Sequence, residues 1–118
     1  NHPLDLDRLA QADVTLWLAR EAGAAVGMIA MRHDAEGWGE VKRMIVREAA
    51  RGRGIARALL RTLEAEATTR GIPLLRLETG IHSHAALALY RRAGFTEIGP
   101  FGAYRPDPLS VFMEKRLG

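Results

Sequence analysis

Residues 51–56 read Arg-Gly-Arg-Gly-Ile-Ala and stand directly before an apolar run of helical spacing, so two glycines and two arginines crowd a helix entrance. A helix N-terminus offers backbone N–H groups without partners and the positive end of the macrodipole, which makes it a natural anion site. Gly52 and Gly54 let an anion come close to the main chain and permit the positive φ angles that aim successive N–H groups at one point. Arg51 and Arg53 can close over phosphate oxygens with charge-assisted bonds. The chemistry on offer is recognition of a phosphate or pyrophosphate.

Three phosphate-binding patterns compete for this loop. The nucleotide P-loop needs GxxxxGK[ST], and neither that spacing nor a Lys-Ser/Thr pair is present. The dinucleotide pattern GxGxxG is met at Gly52 and Gly54, but Arg57 stands at its third glycine. Glu78 does close the next strand, where a ribose-binding acid would belong, yet three strands precede the supposed first unit and too little chain follows it. The third pattern, [QR]xxGx[GA], is satisfied by Arg51–Ala56. Other chemistries are thinly represented. The chain has no cysteine, which excludes disulfides, thiolate metal sites and a cysteine nucleophile. His82 and His84 form an HxH with no third ligand type nearby, so no metal is expected.

The elements that must position the loop follow from periodicity and punctuation. Val14–Arg20 and Ala24–Arg32 read as buried strands joined by a polar turn, a hairpin signal. His33–Glu40 carries two glycines and acids and reads as the next turn, with Trp38 as a turn residue and Trp17 as a core residue. Glu40–Val46 is a third strand, whose alternation puts Glu40, Lys42, Met44 and Val46 on one face. From Ile55 the apolar positions Ala56, Leu59, Leu60, Leu63 and Ala67 recur at helical spacing until Gly71 and Pro73 stop them. Leu74–Gly80 is a short strand. Ser83 then caps a helix over residues 84–93, which Gly94 ends. Residues 95–99 and 110–115 finish as strands across the Pro/Gly-rich loop 99–109. The order gives an α+β, or mixed α/β, layer fold with a mostly antiparallel twisted sheet; only the Glu40–Gly80 unit demands a parallel pair through a right-handed crossover.

Length and composition agree with one domain over residues 1–118, at 47% apolar and 26% charged. The net charge is only +3, but between Lys42 and Arg57 six cations face the single acid Glu48. So local a focus suits a small anionic ligand better than a broad nucleic-acid face, although a basic nucleic-acid-binding domain is a distant alternative. No apolar run approaches the ~20 residues of a membrane span, no secretory signal pattern opens the chain, and a cytoplasmic location is expected. The chain begins at Asn1 rather than Met, and an upstream segment is expected.

With its neighbours the loop resembles the GNAT superfamily of N-acetyltransferases. Glu40–Val46 precedes it at the family's distance for the central strand, and residues 86–95 match the family's second motif, AxxLYxxxGF. The resemblance runs from the first strand to Leu117. It implies a GNAT-like layered fold and a direct, ternary-complex transfer from acetyl-CoA to a primary amine of a small molecule or peptide. The N–H groups of Arg53, Gly54, Ile55 and Ala56, with nearby Gly52, would hold the pyrophosphate. The backbone of Met44, Ile45 and Val46 would pair with the pantetheine arm like a further strand. Met44 N–H would donate to the acetyl carbonyl, Tyr90 would protonate the departing sulfur, and Glu40 would deprotonate the amine, often through water. Ser83 stands where the family often has an asparagine that bonds the pantetheine amide. Phe101 and Tyr104, in the loop before the last strand, are candidates for acceptor contacts. The family's first strand and leading helices, which shape the acceptor pocket, have no counterpart before residues 5–13. A homodimer is compatible with the family.

Taken without that resemblance, the same residues have plainer roles. Tyr90 is a helix aromatic packed with Ala86, Leu89 and Ala93, Glu40 a strand-start carboxylate paired with an arginine, and Phe101 a cover for the sheet edge. A catalytically silent acyl-CoA-binding module is the alternative that keeps the fold. No covalent enzyme intermediate is expected, since no serine sits in a nucleophile setting and there is no cysteine.

Overall fold

The computed structural model describes residues 13–118. Its elements are β1 (Val14–Glu21), β2 (Ala24–His33), β3 (Gly39–Val46), a 3₁₀ turn (Glu48–Ala50), α1 (Ile55–Thr69), β4 (Leu74–Gly80), α2 (His84–Arg92), β5 (Thr96–Ile98) and β6 (Ser110–Arg116). Each lies within a residue or two of its expected place. The expectation that the family's first strand and leading helices have no counterpart falls on residues outside the described ones. Among the described residues no helix is long and apolar enough to cross a membrane.

The six strands form one sheet in the order β1-β2-β3-β4-β6-β5. β3 and β4 are parallel and the other neighbours antiparallel, as the strand-helix-strand unit requires. β6 enters between β4 and β5, an order that no local signal encodes. Period-2 alternation sends Leu75, Leu77, Val111 and Met113 to one face, where Leu59, Leu60, Leu63 and Ala67 of α1 and Leu87 and Tyr90 of α2 meet them. Each fully buried leucine in this layer contributes about 1.5–3 kcal/mol of transfer free energy. Trp17 packs partly buried against the same cluster.

On the opposite face Trp38, Phe101 and Phe112 form a second, aromatic cluster. Trp38 is 7% exposed, its ring edge-on to Phe101 at 5.3 Å between centroids. It is therefore a core residue at a strand entrance and not the turn residue that its flanking glycines suggest.

The register between β2 and β3 breaks near Ile29. Ala30 faces Lys42 and Met28 faces Ile45, so Arg43 and Met44 together oppose one residue. Arg43 takes up the extra residue with φ of 57°, a left-handed conformation that costs a side-chain-bearing residue roughly 1–2 kcal/mol. This bulge corrects the expected alternation: Glu40 joins the aromatic face, while Met44 packs on the helical face with Val41. Beyond Glu40 the parallel partnership with β4 ends, its only registered pairs being Gly39 with Leu75 and Glu40 with Arg76.

Candidate active site

Where β3 and β4 part, a cleft of about 1210 Å³ opens on the helical face between α1 and α2. Its walls join the end of β3, Met44–Val46, to the glycine loop and to the first turns of both helices. Gly52 and Gly54 have φ of 81° and 79°, and a β-carbon at either would touch nothing within 4 Å, so the loop is open to an approaching group. Gly54 caps α1 with no side-chain bond, and the first helical bond runs from Ala58 N–H to the Gly54 carbonyl at 3.0 Å. The N–H groups of Ile55, Ala56 and Arg57 thus stand ahead of the helical ladder at its positive end.

The strand edge beside the loop is equally available. Arg47 N–H bonds the Val26 carbonyl of β2 at 2.8 Å, and Ile45 pairs with Met28. Because successive backbone groups alternate across a strand, Met44 and Val46 direct theirs toward the side that β4 has left. The Val46 carbonyl there accepts from Arg51 Nε at 3.2 Å. Ile45 directs its backbone to β2, and its side chain is 53% exposed.

The arginines divide their labour. Arg51 and Arg57 line the cleft, whereas the Arg53 side chain turns away to an exposed ion pair with Glu21 at 2.7 Å. Against the expectation that both loop guanidinium groups close over one ligand, the Arg53 side chain is engaged by Glu21 and is not part of the cleft wall. Ser83 holds the N-cap position of α2 without a side-chain cap bond and outside the cleft wall.

Tyr90 is buried, edge-on to Phe95 at 5.5 Å, and its hydroxyl meets the cleft-lining Met44 at the sulfur, 3.9 Å away. Burial pushes its pKa up to about 12, so the phenol keeps its proton throughout the neutral range. It is a core aromatic whose hydroxyl is held beside Met44 at the parting of the strands.

Across the sheet, Glu40 is 3% exposed and fully engaged. Its Oε1 accepts from Arg32 Nη2 at 3.2 Å, and its Oε2 accepts from the Tyr104 hydroxyl at 2.6 Å. The arginine partner of the plainer reading is thus Arg32, directly opposite in the β2–β3 register. Arg32 also bonds Asp34 at 2.9 Å and lies over the Trp38 ring, with Arg76 against the same ring. Phe101 is 6% exposed and packs in the aromatic cluster, which leaves its edge-covering role and removes its ring from free display. Of the two loop aromatics Tyr104, 36% exposed, is the one that reaches solvent.

The model of the Acetyltransferase (GNAT) family matches residues 1–95. The chain belongs to the GNAT acetyltransferase family. An IAA acetyltransferase of Azospirillum brasilense is 52% identical over 99% of this chain and 77% of its own length. A structure described as a proposed acyl-CoA N-acyltransferase from Klebsiella pneumoniae shares 47% identity with a TM-score of 0.90, covering 98% of this chain and 80% of that one. PaiA N-acetyltransferase from Thermoplasma acidophilum, solved with coenzyme A, shares the fold at a TM-score of 0.78 and 21% identity, over 88% and 61% of the two chains.

This GNAT chain also builds its cleft from residues that the motifs passed over. Arg61, Glu64, Arg92 and Lys115 line the end away from the glycine loop, with Lys115 Nζ bonded to Glu64 Oε1 at 2.9 Å. Arg57, Arg61 and Glu64 share the polar side of α1 by helical spacing, a visible signal. Arg92 and Lys115 come from separate elements and carry none.

Proposed function

We propose that this chain is a cytoplasmic acetyl-CoA-dependent N-acetyltransferase that moves the acetyl group directly to a primary amine within a ternary complex. The observation that carries the proposal is the continuous wall from the open glycine loop to the free edge of β3, ending where Met44 meets the Tyr90 hydroxyl. A pyrophosphate suits the uncapped N–H groups of α1, and an extended amide-bearing arm suits the unpaired edge at Met44 and Val46. The 52% identical relative, named an acetyltransferase, supports the same reading.

Acetyl-CoA, when bound, supplies a thioester-activated acetyl group. The protein's part is positioning and proton traffic. Met44 N–H would donate to the carbonyl oxygen as negative charge develops there; a lost donor of this kind costs ~3 kcal/mol of barrier in acyl-transfer enzymes. Tyr90, kept neutral by burial, would give its proton to the departing sulfur. Glu40 would remove the proton of the amine arriving from the aromatic face, with Tyr104 beside it.

The test is thiol release from acetyl-CoA by the full chain against spermidine, L-lysine, kanamycin and an alanyl peptide, with mass detection of the product. An N-acetylated product formed in step with free thiol is the expected result. A rise in melting temperature with acetyl-CoA, but no thiol release with any amine, would make the chain a silent binding module.

A further inference from the structure

Both oxygens of Glu40 are occupied, and this decides how a proton can reach it. Oε1 is held by the Arg32 guanidinium, Oε2 takes the Tyr104 hydroxyl hydrogen, and the carboxylate is shut away from solvent. Tyr104 stands outside it. Its ring leans on Phe101 and Phe112 at 5.0 and 5.4 Å between centroids, and its hydroxyl, after giving its one hydrogen to Glu40, still has lone pairs to offer.

We infer that Tyr104 is a catalytic residue: its hydroxyl oxygen takes the proton of the acceptor ammonium as its own hydrogen passes to Glu40 Oε2. The inference rests on the N-acetyltransferase reading. The step balances, since the ammonium N–H bond breaks and leaves its electron pair on nitrogen as a new O–H bond forms on Tyr104. The original Tyr104 O–H bond breaks as an O–H bond forms on Glu40, and the phenol ends neutral. A standing tyrosinate is not needed and is disfavoured, because burial and then the neighbouring Glu40 and Glu78 raise the Tyr104 pKa.

The groups around this pair are otherwise engaged. Arg32 and Asp34 bond each other on the β2 side, Glu78 of β4 accepts from Ser110 at 2.7 Å, and Arg76 pairs with Glu114 at 3.4 Å. Arg32 is therefore the cation that holds Glu40 Oε1 in place, a positioning residue that acts through the carboxylate.

The experiment measures kcat/KM from pH 6 to 10 for Tyr104→Phe, Glu40→Gln and Arg32→Gln, using whichever of the four amines above turns over fastest. Tyr104→Phe is expected to lower kcat/KM about 100-fold at pH 7 with KM for acetyl-CoA unchanged, the scale of general-base catalysis. The deficit should close toward pH 10, where the amine sheds its own proton, and the double variant with Glu40→Gln should be no worse than either single one. Arg32→Gln should lower kcat while leaving KM for acetyl-CoA unchanged, because Glu40 Oε1 loses the partner that orients it. If Glu40→Gln is impaired while Tyr104→Phe matches the wild type, or if the Tyr104→Phe deficit is the same at every pH, the relay is overturned and the base assignment stands. If neither variant loses turnover, the base assignment fails with it. An unchanged kcat in Arg32→Gln removes the role given to Arg32.

Discussion

Replacing Gly54 by glutamate puts the proposed pyrophosphate site to a quantitative test. Gly54 holds φ of 79°, so any side chain there pays roughly 1–2 kcal/mol for the left-handed conformation. A carboxylate at a helix N-terminus returns about 0.3–1 kcal/mol, and the net loss is near 1 kcal/mol. For a chain of this length that lowers Tm by about 4 °C. The ligand effect is larger. Acetyl-CoA at 100 times its Kd stabilises the wild type by ~2.7 kcal/mol, or about 10 °C. In Gly54→Glu the new carboxylate occupies the N–H groups of α1 and repels the incoming anion, so the ligand shift should vanish while the apo protein still melts cooperatively. Gly23→Glu is the control: φ is 83°, a β-carbon would touch nothing within 4 Å, and the residue sits in the β1–β2 turn. It carries the same strain and should keep the full ligand shift. Differential scanning fluorimetry with and without acetyl-CoA reads both. A full shift in Gly54→Glu, or a lost one in Gly23→Glu, refutes the assignment.

Tyr90→Phe should leave urea stability within about 0.5 kcal/mol, because among the described residues the hydroxyl meets only a thioether at 3.9 Å, yet lower kcat markedly. With its pKa near 12, the wild-type residue should add no limb to a pH–rate profile between pH 6 and 10. Trp38→Ala should cost ~3–5 kcal/mol in urea denaturation by emptying the aromatic cluster, whereas Trp38→Phe should cost far less, since the indole N–H has no partner to lose among the described residues. Asp34 accepts from Glu36 N–H at 2.9 Å and then from Arg32, and these bonds hold its pKa below the usual carboxylate value. Its contribution is present above the unfolded-state pKa and disappears as pH falls through the lower, folded one. Asp34→Asn should accordingly narrow the difference in urea midpoint between pH 6 and pH 2.5 relative to the wild type.

What the sequence determined by itself was local. The strands and both helices were legible because apolar period and turn chemistry act within a few residues: Gly71 and Pro73 end α1, and Ile55 to Ala67 draw its buried stripe. The glycine loop was legible for the same reason, since left-handed glycines before a helix leave its first N–H groups uncovered by side chains. Only the tertiary structure decided how the two faces share the remaining work. A bulge is a mismatch of count between two strands, so the turn of Glu40 away from Met44 at Arg43 cannot be read from β3 alone. The burial of Trp38, the pairing of Arg53 with Glu21 and the union of Lys115 with Glu64 each join segments far apart in the chain. Tyr104 could be picked out as an aromatic in a loop, but its partnership with Glu40 spans 64 residues. It exists because the loop before β6 folds back over the face to which the bulge consigned the carboxylate.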